Sequence, residues 1–308
     1  AYHNPGDLID NEQWLPGFRF YVLGPPRDKT ILGDLGEHGS NELYGLTRGL
    51  RMAAESIGGA ESAEIRDELP FDQRFYERDE AKQQSWYPAY FAETEEWRTI
   101  EHEWLNSASD LALQLDSMTN NTSLALAIER TADGKVLLFP ADAQQGNWLS
   151  WHAPEIKWRI ADPSGVTREV TAADLLQRTV FYKVGHHSSH NATARAKGLE
   201  LMREENGITA FIPVDRAVAL TRNPKDSWQM PARPLYRRLL EKCGGRVARS
   251  DIGWVIDPTG VAATKTEKEF VGMAAPAEWS AWKTAQKSAQ DAKLVNFDQD
   301  AFIEYLLD

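Results

Sequence analysis

Short apolar runs separated by turn residues dominate both ends of the chain, and a long stretch between them has helical spacing instead. Phe18-Arg-Phe-Tyr-Val-Leu23 reads as a strand stopped by Gly24-Pro25-Pro26, where two prolines remove donors. From about Phe71 to Asp116, Trp97, Ile100, Trp104, Leu111 and Leu115 recur at spacings of three, four and seven, the stripe of an amphipathic helix. That block, about 63–118, is expected to be an inserted helical hairpin, and a short helix is expected over Leu43–Ser56. Ser123–Glu129 and Lys135–Phe139 flank an Asp133-Gly134 turn and predict a β-hairpin. The second strand is apolar on both faces, which places it inside a sandwich.

Further on, Trp148–Asp162 is a Trp-rich segment ending in a turn at Asp162–Gly165. Thr171–Arg178 is a helix capped by Thr171 with Asp174 at its third position. Strands are expected at Thr179–Val184, at Thr209–Val214 and twice within Arg246–Ile256. Helices are expected at Thr193–Glu205 and Pro234–Cys243, the latter ended by Gly244-Gly245, and in a tail from about Pro276 to Leu307 without a clear packing partner. Strands with intervening helices make an α/β chain, and 308 residues suit one large domain or two small ones.

No run of about 18 apolar residues is present, so no membrane contact is expected. A single cysteine, Cys243, excludes an internal disulfide and fits a reducing compartment, the cytoplasm by default. The net charge of −12 opposes general nucleic-acid binding. Its distribution changes the picture: residues 61–119 carry 15 Asp/Glu and 5 Lys/Arg, whereas 195–250 carry 12 Lys/Arg and 6 Asp/Glu. The basic segment is either a solvated face or a phosphate-attracting wall.

Four of the seven histidines lie between His152 and His190, three of them within Gly185-His-His-Ser-Ser-His190 at the end of the Thr179–Val184 strand. Asp142 stands at the end of another strand, after Pro140-Ala141. Strand ends hold side chains rigidly with one side open, as a catalytic metal site requires. A carboxylate and an imidazole on neighbouring strands suit a borderline cation such as zinc or manganese. The plainer reading makes Asp142 a turn residue and the histidines hydrogen-bonded polar groups.

The hairpin Asn121–Arg130, the strand Val136-Leu-Leu-Phe-Pro-Ala-Asp142 and the stretch Phe181-Tyr-Lys-Val-Gly-His-His-Ser-Ser-His-Asn-Ala192 resemble the second half of a metallo-β-lactamase-fold hydrolase. They are most similar to the branch containing the hydrolase domains of DNA-uptake competence proteins. The resemblance covers roughly residues 15–257 and implies half of an αββα sandwich, the C-terminal half of such a domain over 1–260, with a helical tail over 261–308. It implies Asp142 as the carboxylate bridging two divalent metals, zinc or manganese, and His186 as the imidazole closing the second site. His187 would orient a ligand or contact substrate. His190 would protonate a leaving group or, more plainly, cap a helix beginning near Thr193.

Ala141 and Ser188 stand where the family usually has glycines; both are small, and the geometry is expected to survive. The family's main motif, His-x-His-x-Asp-His, is absent from the 308 residues, and His3, His38 and His102 are scattered singly. The resemblance therefore implies that the site is completed by an N-terminal half or a separate chain carrying that motif. Phosphodiester hydrolysis, of nucleic acid or nucleotide, is the expected reaction, with Arg216, Arg222, Lys225 and Arg233 as candidate phosphate contacts. The alternative is a degenerate relative that serves as a regulatory or interaction module.

Overall fold

A computed structural model describes residues 3–10, 15–32, 42–43, 120–161, 165–221, 230–254, 276–298 and 302–307. The expected helical insertion at 63–118, all of the Leu43–Ser56 helix but Leu43, His38 and His102 lie outside them. The fold is α/β, built on a mixed eight-stranded sheet. Strands β1 (Leu8–Asp10), β2 (Phe18–Gly24), β3 (Ala125–Arg130) and β4 (Val136–Phe139) pair antiparallel in that order. A separate hairpin, β5 (Trp158–Ala161) and β6 (Thr167–Val170), follows. Strands β7 (Thr179–Lys183), β8 (Thr209–Ile212) and β9 (Val247–Arg249) then continue the sheet from β4 in parallel, and β10 (Gly253–Trp254) adds an antiparallel edge.

The parallel strands β4, β7, β8 and β9 are added one neighbour at a time in a single direction. Right-handed crossovers between such strands put every connecting helix on the same face. Helices α1 (Lys29–Leu32), α2 (Gln145–Ser150), α3 (Ala172–Gln177), α4 (Arg216–Thr221) and α5 (Arg233–Lys242) lie along the chain. The core forms where α2, α3 and α5 meet the sheet, with Trp148, Trp151, Leu175, Leu176, Leu235, Leu239 and Leu240 buried there. Opposite them, Tyr21, Ala127, Leu138, Tyr182, Ala210 and Val247 form one continuous cross-strand row of fully buried residues. Period-2 alternation sends the adjacent row, Phe20, Ile128, Leu137 and Phe181, to the other face, where the first three are only half-buried.

The tail departs from the helical expectation. Helix α6 (Pro276–Asp291) is followed by a hairpin of β11 (Val295–Asp298) and β12 (Phe302–Tyr305). Its packing partner is Gly245: a Cβ there would collide with Trp282, and Gln286 Nε2 donates to the Gly245 carbonyl at 2.5 Å. The hairpin brings Tyr305 onto the second face, 4.8 Å from Phe181 and 6.4 Å from Phe211 between ring centroids. Phe181 also meets Phe139 at 5.7 Å and Phe211 at 5.0 Å.

The strands expected at 18–23, 123–129, 135–139, 179–184 and 209–214 are present with shifts of one or two residues at their ends, and Thr171 and Asp174 form a complete capping box on α3. One other expectation is corrected. Thr193–Glu205 is not a helix but a turn-rich segment with 3-10 turns at Leu199–Leu201 and Glu204–Asn206. Gly198, at φ −136° and ψ −106°, breaks the helical path, and a Cβ on it would strike the Ala194 carbonyl. The Trp-rich segment, given no element from sequence, contains the end of α2 and strand β5.

Away from the parallel strand ends lies a buried charge cluster. Glu129, on the core face of β3, accepts from the Tyr21 hydroxyl, from Arg178 Nη1 at 2.5 Å and from Arg19 Nη1 at 3.3 Å. Burial by itself raises the pKa of Glu129, but the Tyr21 hydroxyl and the Arg178 and Arg19 guanidiniums outweigh it and hold the carboxyl below the usual glutamate range.

Candidate functional site

In open parallel sheets, ligands bind outside the carboxyl ends of the strands. Here β4 delivers Ala141 and Asp142 to that edge, β7 delivers Gly185–His190, and β8 delivers Pro213–Arg216. Gly185 permits the closest approach, since a Cβ on it would lie 2.5 Å from the Ala141 carbonyl oxygen. The His186 amide donates to that same oxygen at 3.2 Å, which ties the two strand ends together.

The backbone at this junction is strained. Five non-glycine residues with positive φ occur among the described residues, and four are Ala141 (52°), His186 (40°), His187 (51°) and Ser188 (60°). A left-handed conformation costs an L-residue roughly 1–2 kcal/mol, and such strain gathers at functional sites, where surrounding contacts hold it. Ala141→Gly and Ser188→Gly are each expected to raise stability by about 0.5–1 kcal/mol, the relieved strain less the greater entropy of glycine in the unfolded chain. Urea unfolding midpoints measure it.

Beneath the junction, a side-chain lattice organises α2. Its N-cap residue Gln144 supplies no side-chain cap. Instead the fully buried Asn121 accepts from the Gln144 amide at 3.0 Å and the Asn147 amide at 3.3 Å. Ser123 Oγ accepts from the Asp142 amide at 3.2 Å. Trp148 Nε1 donates to the Ala192 carbonyl at 3.0 Å, fastening α2 to the loop that carries the histidines.

Asp142 and His186 are half-buried, and His187 and His190 are exposed. His186 Nδ1 lies 2.8 Å from Ser189 Oγ and 3.2 Å from Gln144 Nε2, and its Nε2 lies 3.3 Å from Asn120 Nδ2. Ser189 Oγ donates to Asn191 Oδ1 at 2.9 Å. His187 Nδ1 lies 2.6 Å from the Pro213 carbonyl oxygen, which can only accept, so Nδ1 carries the proton and Nε2 the lone pair of the neutral ring. No helix begins near Thr193, so His190 caps none. His152 stands apart: its Nε2 donates to the Lys197 carbonyl at 2.6 Å, and burial lowers its pKa.

Of the candidate phosphate contacts, Arg233 follows Ala232, whose amide donates to the Ser188 carbonyl at 2.7 Å, and Arg216 opens α4 after β8. Arg222 and Lys225 lie outside the described residues. Much of the remaining basic segment is internally neutralised: Arg238 and Lys242 pair with Glu200 and Glu204, Arg237 with Glu241, and the buried Arg249 with Asp251. The polar residues Asn120, Asn121, Gln144, Ser189 and Asn191 had no signal of their own in the sequence. Asn120-Asn121 reads in sequence only as the end of a helix and the opening of a hairpin.

One carboxylate and two imidazoles are donors that a borderline divalent metal takes. Among the described residues, however, no three His, Cys, Asp or Glu side chains form a group that could hold an ion. The donors present among the described residues do not by themselves make a metal site. No helix among the described residues is long and apolar enough to cross a membrane. Comparison with known proteins returns nothing: no family model matches the chain, and no curated protein or solved structure is significantly similar to it. Fold and site define an α/β protein with polar, histidine-bearing loops at its parallel strand ends.

Proposed function

We propose that this chain is the C-terminal half of a metal-dependent hydrolase with a metallo-β-lactamase-like αββα sandwich, and that Asp142 and His186 contribute to a dinuclear zinc or manganese site. An N-terminal half or partner chain carrying His-x-His-x-Asp-His completes it. The observation that carries the reading is the junction itself: Asp142 and the histidine pair stand on adjacent parallel strand ends, joined through the Ala141 carbonyl and held in strained backbone. The half-buried apolar residues of the sheet's second face, Phe20, Ile128 and Leu137, also support it. A bound metal pair would activate water and stabilise the attacking and leaving oxygens. This chain's own part is to hold the carboxylate and imidazoles in place and, through Arg233 and Arg216, to attract a phosphodiester such as nucleic acid.

The purified chain alone is expected to retain little metal and to leave bis(p-nitrophenyl) phosphate intact. Combined with a His-x-His-x-Asp-His segment it gains hydrolysis, and Asp142→Ala or His186→Ala lowers the rate by about 100-fold or more. Two metal ions per molecule and hydrolysis by the chain alone would refute the split site. A rate on nucleic acid that does not fall with added salt would remove the arginine contacts.

One observation favours a second reading, a non-catalytic interaction module: both ring nitrogens of His186 already have partners within the chain. Undiminished activity of the assembled Asp142→Ala protein would select it.

A further inference from the structure

We infer that the buried Ser189 and Asn191 are positioning residues that fix the tautomer of His186, so that both histidines carry the proton on Nδ1 and keep Nε2 as the lone-pair nitrogen. Asn191 Oδ1 can only accept, so the single proton of the Ser189 hydroxyl is committed to it over 2.9 Å. Ser189 Oγ then meets His186 Nδ1, 2.8 Å away, as an acceptor, which requires Nδ1–H. The other nitrogen agrees: Asn120 Nδ2, a donor, faces Nε2 at 3.3 Å.

Gln144 fits the same pattern after one rotation. Its Nε2 faces Nδ1 at 3.2 Å while its Oε1 is buried without a hydrogen bond. Turning the amide by 180° brings the acceptor to Nδ1–H, an exchange that leaves the side chain's shape unchanged. Ser189 and Asn191 are 5% and 6% exposed, so water does not compete for the chain of bonds. His187 reaches the same tautomer independently through the Pro213 carbonyl. An Nδ1–H bonded to an oxygen acceptor is the arrangement that orients an imidazole for coordination or proton uptake through Nε2.

What those lone pairs take rests on the hydrolase reading; the tautomers themselves do not. The test is a long-range 1H–15N correlation spectrum of the uniformly labelled full chain, at a pH where the rings are neutral, with signals assigned through His186→Gln and His187→Gln. Both rings are expected to show protonated Nδ1 and bare Nε2. Because Gln144 would remain as a second acceptor, the changes are made in a Gln144→Ala background, where Ser189→Ala removes the last acceptor and Asn191→Ala frees the Ser189 hydroxyl to donate to Nδ1. Either change is expected to shift the proton of His186 toward Nε2 while His187 stays unchanged, a selectivity that a general packing defect would not produce. Protonated Nε2 on His186 in the unaltered protein overturns the inference, as does a folded Asn191→Ala protein with an unchanged His186 pattern. If Ser189→Ala does not fold, Asn191→Ala alone decides. The predicted tautomers together with no hydrolysis in the assembled enzyme would sink the hydrolase reading and leave this one standing.

Discussion

Glu129→Ala is expected to lower the unfolding free energy by about 3–5 kcal/mol, because it leaves the Arg178 and Arg19 guanidiniums without their buried counter-charge. The glutamate side chain is 2% exposed, whereas Arg19 and Arg178 are 16% and 27% exposed, so the loss falls mostly on a site that water cannot readily repair. Urea unfolding at pH 7 measures the deficit. Its pH dependence has a definite sign. The carboxyl is held below its unfolded value of about 4.3, so its stabilisation is complete above that pH and is lost as the pH falls through the folded value. The difference between Glu129→Gln and the unaltered protein should therefore narrow between about pH 4 and lower pH. A gap that stays constant down to acid unfolding would mean that the ionised carboxylate contributes nothing specific.

Gly185→Ala is expected to damage stability and site together. Its Cβ would meet a backbone oxygen at 2.5 Å and Pro140 Cγ at 3.3 Å, and neither is the far end of a flexible chain. Relief requires β4 and β7 to part at their ends, breaking the bond from the His186 amide to the Ala141 carbonyl. Overpacking of this kind costs typically 1–3 kcal/mol. If the proposed hydrolase reading holds, a displacement near 1 Å at its reacting centre costs about 100-fold in rate, and the assembled protein should lose activity at temperatures where the variant is still folded. Wild-type rates in folded Gly185→Ala would show that the spacing of the two strand ends is immaterial.

The strands were legible because their chemistry is local. Phe18–Leu23 and Lys135–Phe139 combine period-2 or apolar runs with Pro, Asp-Gly and Gly stops, and Thr171 with Asp174 carries its own cap. The elements that escaped are set by distant residues. Helix α2 contains Gly146 and has no cap of its own; it forms because Asn121, far away in sequence, accepts from its first amides. Thr193–Glu205 has helical composition, yet Gly198 packed against Ala194 diverts the chain. For α6 the missing partner was a notch, and Gly245 gives no hint in sequence that it receives Trp282.

At the site, Asp142, His186, His187 and His190 stood out as strand-end residues, and the topology carries all of them to the carboxyl edge of the parallel strands. Their hydrogen-bond environment did not stand out. Ser189 and Asn191 are ordinary loop residues in sequence, and only burial beside His186 gives them a role. The basic segment misled in part, because Arg238, Lys242 and Arg249 find carboxylates within the chain.

The aromatic contacts of Tyr305 bear on how the protein is made. Phe181 and Phe211 belong to central strands that a ribosome releases well before β12, so the sheet can pair while those rings still lack the Tyr305 ring that packs against them, tilted on Phe181 and edge-on to Phe211. A nascent chain at that stage presents sticky aromatic surface next to hydrogen-bonded strands, the kind of surface that holding chaperones bind. Closure by Tyr305, steadied by Arg130 donating to the Leu307 carbonyl at 2.9 Å, makes the final hairpin the step that ends this exposure.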